Sequence, residues 1–222
     1  MSTILLNIGF DSGMIMPVVM ILIGILVFFT IVRFVAKSYI KIPPNKVAIF
    51  YGRKNKTQDG TVKGYKVLTG GAKIKIPIIE DVQYLDLAVF SIPIQVAKAP
   101  NKDNILVTLK GVANVKIGND EASLMAAAER FLGRSQSEIR DIAHENLTGH
   151  LRSIAGTMTI EDLVSNRDKL NQSVITEAGQ DLKKMGLTID LLTIQEVDDE
   201  YGYIEQLGRK RTAEVKMAAE VG

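Results

Sequence analysis

The chain has no cysteine and only two histidines, His144 and His150, among its 222 residues. Without thiols it forms no disulfide and holds no thiolate-bound metal. The histidines are six residues apart, which is neither helical pair spacing, so a His-rich metal centre is also excluded. Charge is missing altogether from Ser12 to Val32. Acids are almost missing from the next stretch, where Arg33 to Lys75 carries eleven Lys or Arg against one acid, Asp59. From Asn119 to Gly222 the balance reverses, with nineteen acids against twelve bases. Signs of catalysis are equally scarce. Gly70-Gly71 lacks the spacing and the Lys of a phosphate loop, and no G-x-G-x-x-G precedes a helix. Glu138, Asp141 and Glu145 share a helical stripe, but Arg134 and Arg140 lie beside them, and the spacing suits a solvated face. No nucleophile-elbow motif is present, and nothing in the sequence gives a positive reason to expect an enzyme or a cofactor.

What is there begins with the uncharged stretch. At about 1.5 Å per residue, Ser12 to Val32 spans roughly 30 Å, the hydrocarbon thickness of a bilayer. Pro17 lies near its start, where a missing N–H costs little. A cleaved signal peptide needs Lys or Arg before the apolar run, and Met1 to Asp11 has neither. Arg33, Lys37 and Lys41 follow the stretch, while only Asp11 precedes it. The positive-inside rule therefore puts the rest of the chain in the cytoplasm. A re-entrant hairpin hinged at Pro17 or Gly24 is the alternative. The basic block suits an anionic leaflet, where each Lys or Arg contributes about 1 kcal/mol. Arg33, Lys37, Lys41, Lys73 and Lys75 are the expected headgroup contacts. Nucleic acid is not expected as a partner, because the block has no aromatic pattern of the RNP kind.

Beyond the membrane segment the pattern alternates. Pro43-Pro44 are expected to end a short juxtamembrane helix. Val47 to Tyr51 reads as a strand, and Asn55 to Gly64 as an exposed loop. Gly70-Gly71 is expected to turn into a half-buried strand with Ala72, Ile74 and Ile76 inward and Lys73 and Lys75 outward. Phe90 to Val96 alternates, with Pro93 marking an edge or bulged strand. The longest strand runs from Ile105 to Ile117, with a bend or bulge at Gly111. Three helices follow: Glu121 to Leu132; one capped by Ser135 or Ser137 and closed by Gly156; and one from about Asp168 to Gly186. Thr159 to Asp162 resembles a short capping motif. Leu187 to Val197 returns to strand, and a last helix covers Tyr201 to Val221.

Several of these stretches together resemble the flotillin branch of the SPFH (band 7) family. They are Ile42-Pro43-Pro44-Asn45-Lys46-Val47, Tyr51-Gly52-Arg53, Gly70-Gly71-Ala72 with Ile76-Pro77, and Ala128 to Gly133. Gly149 to Thr159, Leu182 to Leu187, Asp199 to Tyr203 and Leu207 to Arg211 complete the set. The resemblance implies a non-enzymatic scaffold at the plasma (inner) membrane, built as a large ring or cage of identical copies. It also implies a small membrane protein of the NfeD type as a partner, beside the anionic lipids that the basic block suits. A stomatin- or prohibitin-like regulator enclosing a membrane protease is the nearest alternative; a membrane-tethered hydrolase is a more distant one.

The fold expected is α+β. It comprises an interfacial segment (1–11), a transmembrane helix (12–32), a juxtamembrane linker (33–42), a strand-rich SPFH1-like unit (43–100), an α/β SPFH2-like unit (101–198), and the start of a coiled-coil helix (199–222). Flotillins continue into a longer coiled coil, so this chain reads as a fragment or a short relative. Arg209, Lys210 and Arg211 are the expected contacts between neighbouring copies.

Overall fold

The first element is a 27-residue helix, α1, from Ser12 to Ser38. The computed structural model describes residues 12–56, 62–77 and 79–221; the interfacial segment expected at 1–11 lies outside them. The Met16–Ser38 portion of α1 is long and apolar enough to cross a membrane, and among the described residues nothing buries its apolar stretch. Pro17 sits within the first two turns. The helix ends at Ser38, short of Pro43-Pro44, because the chain enters a strand at Tyr39 directly afterwards. Its end is fixed by Ser38, whose hydroxyl donates to the Phe34 carbonyl at 2.8 Å.

Among the described residues six strands follow, in two antiparallel sheets. β1 (Tyr39–Lys56), β2 (Val62–Ile74) and β3 (Asp81–Asp86) form the first sheet, in the order β2-β1-β3. β4 (Phe90–Pro100), β5 (Leu106–Ile117) and β6 (Leu187–Asp199) form the second, in the order β4-β5-β6. Between β5 and β6 come α2 (Glu121–Phe131), α3 (Gln136–Ala155), α4 (Ile160–Ser165) and α5 (Arg167–Lys184). The chain closes with α6 (Tyr203–Val221). The caps are those the sequence offers: Ser135 and Glu138 form a full capping box on α3, and Thr159 caps α4 by accepting from Asp162 N–H.

Four readings need correction. Pro43-Pro44 lie inside β1, in the stretch between Ile42 and Val47 where pairing with β2 shifts register. Gly70-Gly71 are not a turn; they lie in β2 opposite that irregularity, at φ +70° and +85°. Left-handed residues here absorb the unequal lengths of the two strands, which only glycine does without strain. Because that bulge shifts the side-chain phase, Ala72, Ile74 and Ile76 are exposed while Lys73 and Lys75 are half-buried, the reverse of the alternation expected. Finally, residues 90–100 pair with β5 in the second sheet, so the change of sheet falls between Asp86 and Phe90.

The two sheets are not separate bodies. Val47, Ile49 and Leu85 of the first sheet belong to one core with the inner face of the second sheet and with α2, α3 and α5. On its other face β1 sends Ala48 and Phe50 into a smaller cluster with Ile42. All four residues from Val47 to Phe50 are therefore buried, which explains an apolar run with no alternation. Tyr65 O–H also donates to the Glu129 carboxylate, tying β2 to α2.

Candidate membrane-facing surface and helix exit

The junction of α1 with the first sheet builds one surface. The Ser38 carbonyl accepts from Lys75 N–H at 2.8 Å, so the end of β2 lies beside the end of the helix. Tyr39 pairs opposite Ile74, and Lys41 opposite Ala72; all four are exposed. The following connection adds Ile76 and Ile79. Tyr39, Ile74, Ile76 and Ile79 are 52, 61, 39 and 56 % exposed, an apolar rim made by the start of β1, the end of β2 and the connection that Lys75 N–H ties to the end of α1. Arg33, Lys37 and Lys41 are exposed beside it.

Lys73 and Lys75 have other partners. The Lys73 ammonium lies 3.5 Å from the Glu80 carboxylate, which is buried. Lys75 donates to Asp81 at 2.8 Å, and Tyr51 O–H donates to the other oxygen of that carboxylate at 3.0 Å. Lys75, then Val82 N–H and Tyr51, hold the Asp81 carboxyl down at about 2, and the Tyr51 phenol is pushed up by its bond to Asp81. Of the five lysines and arginines expected at headgroups, the structure brings three to the open surface and turns two toward carboxylates. The sequence signal for this was present in Glu80-Asp81, two acids standing shortly after two lysines.

At the other end of the body, β6 hands over to α6. Asp199 accepts from Tyr201, Tyr203 and Ile204 N–H through both oxygens, at 3.2, 2.6 and 2.9 Å, a dense N-terminal cap. Arg209 pairs with Glu205 one turn back at 2.7 Å, and Lys210 lies 4.0 Å from Glu214. Arg211 donates to Ser165 Oγ at 2.8 Å. Ile204 packs on the core and Leu207 is half-buried. From Gly208 to Glu220 every residue is exposed, Val215 and Met217 included.

The weak catalytic candidates have structural places. Glu138 belongs to the α3 cap, while Asp141 and Glu145 face solvent. His150 Nε2 lies 3.1 Å from Asp181 on α5, and Asp181 also accepts from Lys184 at 2.8 Å. Among the described residues no group of three acidic or His side chains is placed to hold a metal.

Residues 40–221 match the SPFH domain / Band 7 family. The flotillin-like protein FloT of Bacillus subtilis (strain 168) is 36 % identical over 215 residues, covering 94 % of this chain and 42 % of its own length. Flotillin-1 of Drosophila melanogaster is 36 % identical over 157 residues, and that of Homo sapiens 32 %; each alignment covers 70 % of this chain and 37 % of the relative. The chain thus spans about two fifths of the length of these relatives.

Proposed function

Because the chain belongs to the SPFH domain / Band 7 family, where its relatives are flotillins, we propose that it is a membrane-anchored scaffold of many identical copies that organises the membrane around it. The observation that carries this reading is the apolar α1, which ends against the apolar rim of Tyr39, Ile74, Ile76 and Ile79. An anchor and a flat contact at one level press the first sheet against the leaflet surface. The body then stands on the basic, cytoplasmic side, with Arg33, Lys37 and Lys41 toward anionic headgroups. Lys73 and Lys75 support the rim from within instead of reaching for lipid. Tyr39 suits the interface as an amphipathic ring.

Assembly is the second half of the reading. α6 leaves the body with an uncovered surface, and its exposed stretch from Gly208 to Glu220 is close to the length, about 12–15 residues, below which an isolated helix is marginal in water. Its intrachain pairs Arg209–Glu205 and Lys210–Glu214 are exposed, and such pairs contribute about 0–1 kcal/mol. They exchange readily for carboxylates of a neighbouring copy. A repeated head-to-tail contact of that kind closes into a ring. No reacting group or cofactor is needed for this role. The resemblance to flotillins adds a small membrane partner of the NfeD type.

Negative-stain imaging of the detergent-extracted protein tests the proposal. Rings or cages are the expected result; uniform particles the size of one or two copies would overturn it. Protease protection adds the sidedness: a reporter after Gly222 is expected on the cytoplasmic side and Met1 on the other. Both ends on one side would replace the spanning helix with the hairpin.

A further inference from the structure

Where β6 gives way to α6, one strained lysine is unexplained by packing or by the membrane surface. Lys98 has φ +49°, a left-handed backbone, and is not glycine. It sits in β4 between Val96 and Ala99, where two residues oppose the single Thr108 of β5. Its N–H reaches Thr108 Oγ1 at 3.4 Å. A left-handed L-residue is unfavourable, and such strain persists where the surroundings impose it. Bulges re-aim side chains. This one directs the Lys98 ammonium to Glu200, 2.7 Å away and just past the end of β6. The Glu200 N–H in turn meets the Leu106 carbonyl at 3.4 Å.

Glu200 lies directly before Tyr201-Gly202, where Gly202 has φ +69° and the chain turns from β6 into α6. Asp199 on the other side of Glu200 caps α6. Arg211, more than two turns into α6, reaches back to Ser165 at the end of α4. Beyond the Asp199 cap and the seat of Ile204 on the core, the helix is therefore held at two separated points by two different elements. β4 holds its root through Lys98–Glu200, and α4 holds its flank through Ser165–Arg211. The seat of Ile204 locates the helix but leaves its tilt open; the two outer contacts define a direction.

We propose that Lys98–Glu200 and Ser165–Arg211 form a two-point clamp that sets the angle at which α6 leaves the body, and that loss of both points widens the range of angles α6 takes about its seat at Ile204. The clamp is a conformational device. It fixes where Val215 and Ala218 are presented, and it acts within one chain, so it stands whether or not the chain assembles. One point is an exposed ion pair, which salt screens over about 8–10 Å; the other is a single hydrogen bond to an exposed serine. Both points are weak enough to open without unfolding the core.

The absence of cysteine allows clean labelling. Spin labels at Glu145→Cys on α3 and Ala218→Cys on α6, with labelled chains diluted into unlabelled ones, report the angle as a distance distribution. The parent is expected to give one narrow distribution at low salt. Lys98→Ala combined with Arg211→Ala is expected to lose it and give a broad one. Lys98→Gly with Arg211→Ala removes both contacts and also the backbone strain, so it is expected to broaden the distribution with an unfolding temperature no lower than that of Lys98→Ala with Arg211→Ala. Lys110→Ala, which removes the similar Lys110–Glu196 pair on the same sheet, is expected to leave the distribution narrow. A narrow distribution in either double variant would overturn the clamp, and so would equal broadening from Lys110→Ala.

Discussion

The Lys73 ammonium lies 3.9 Å from the centre of the Phe50 ring. The same ammonium faces the buried Glu80 carboxylate at 3.5 Å, so one cation satisfies both an aromatic face and an acid beneath the first sheet. That arrangement turns a lysine expected at lipid into an internal support. It holds the 75–80 connection close to β1, where the Ile79 carbonyl approaches Gly52 so closely that an added Cβ would lie 2.4 Å from it.

Glu80→Ala is expected to destabilise the fold by about 1–3 kcal/mol, at or below the lower end of the cost of breaking a buried pair, because Lys73 retains some solvent access. Glu80→Ala with Lys73→Met is expected to recover much of that loss, since the orphaned charge is removed with its partner. Denaturant unfolding of the two variants checks this. Equal or greater loss in the double variant would show that Lys73 gains nothing from Glu80.

The Asp81 carboxyl titrates near 2, below the ordinary value of about 4. A depressed acid contributes its stability in full above the unfolded value and loses it as pH falls through the folded one. The stability that the contacts among Lys75, Asp81 and Tyr51 contribute is therefore expected in full at pH 5 and lost between about pH 4 and pH 2, the contacts themselves opening near the lower end. NMR titration of the Asp81 carboxyl checks this, with Lys75→Ala expected to move its midpoint upward. A midpoint unmoved by that substitution would remove Lys75 as the main cause.

Arg209 and Lys210 are 78 and 74 % exposed at their side chains, while Arg211 is engaged with Ser165. Arg209→Glu with Lys210→Glu, leaving Arg211 intact, is expected to break large assemblies into small species that still fractionate with membrane. Sedimentation in detergent reads the outcome. A variant that sediments like the parent at low and high salt would show that these charges do not hold copies together.

Much of the fold was legible because local signals agreed. The apolar run from Ser12 to Val32, the Ser135 cap, the Thr159 cap and the alternation of Phe90 to Val96 each correspond to the element observed. Pro93 marked β4 as an edge strand, and its place at one end of the second sheet agrees. What was not legible depended on pairing. β3, Asp81–Asp86, is short and polar and reads as strand only once β1 is beside it. The phase of residues 72–76 depends on a bulge that two glycines signal equally well as a turn. Similarly, the partner of β4 is a tertiary choice that alternation within one strand does not encode. The same phase shift hid the exposure of Ile74 and Ile76 and the pairing of Lys73 and Lys75 with Glu80 and Asp81.

The most direct measurement places that surface against lipid. The chain contains no tryptophan, so Ile76→Trp and Lys73→Trp each give a single fluorophore in the full-length protein reconstituted into vesicles. Quenching by lipids brominated at known depths then compares the two sites. The account predicts blue-shifted emission and strong quenching by shallow bromines at position 76. At position 73 it predicts weak quenching by bromines at any depth. Water-exposed emission at position 76, unaffected by brominated lipid, would contradict the placement of the rim at the membrane.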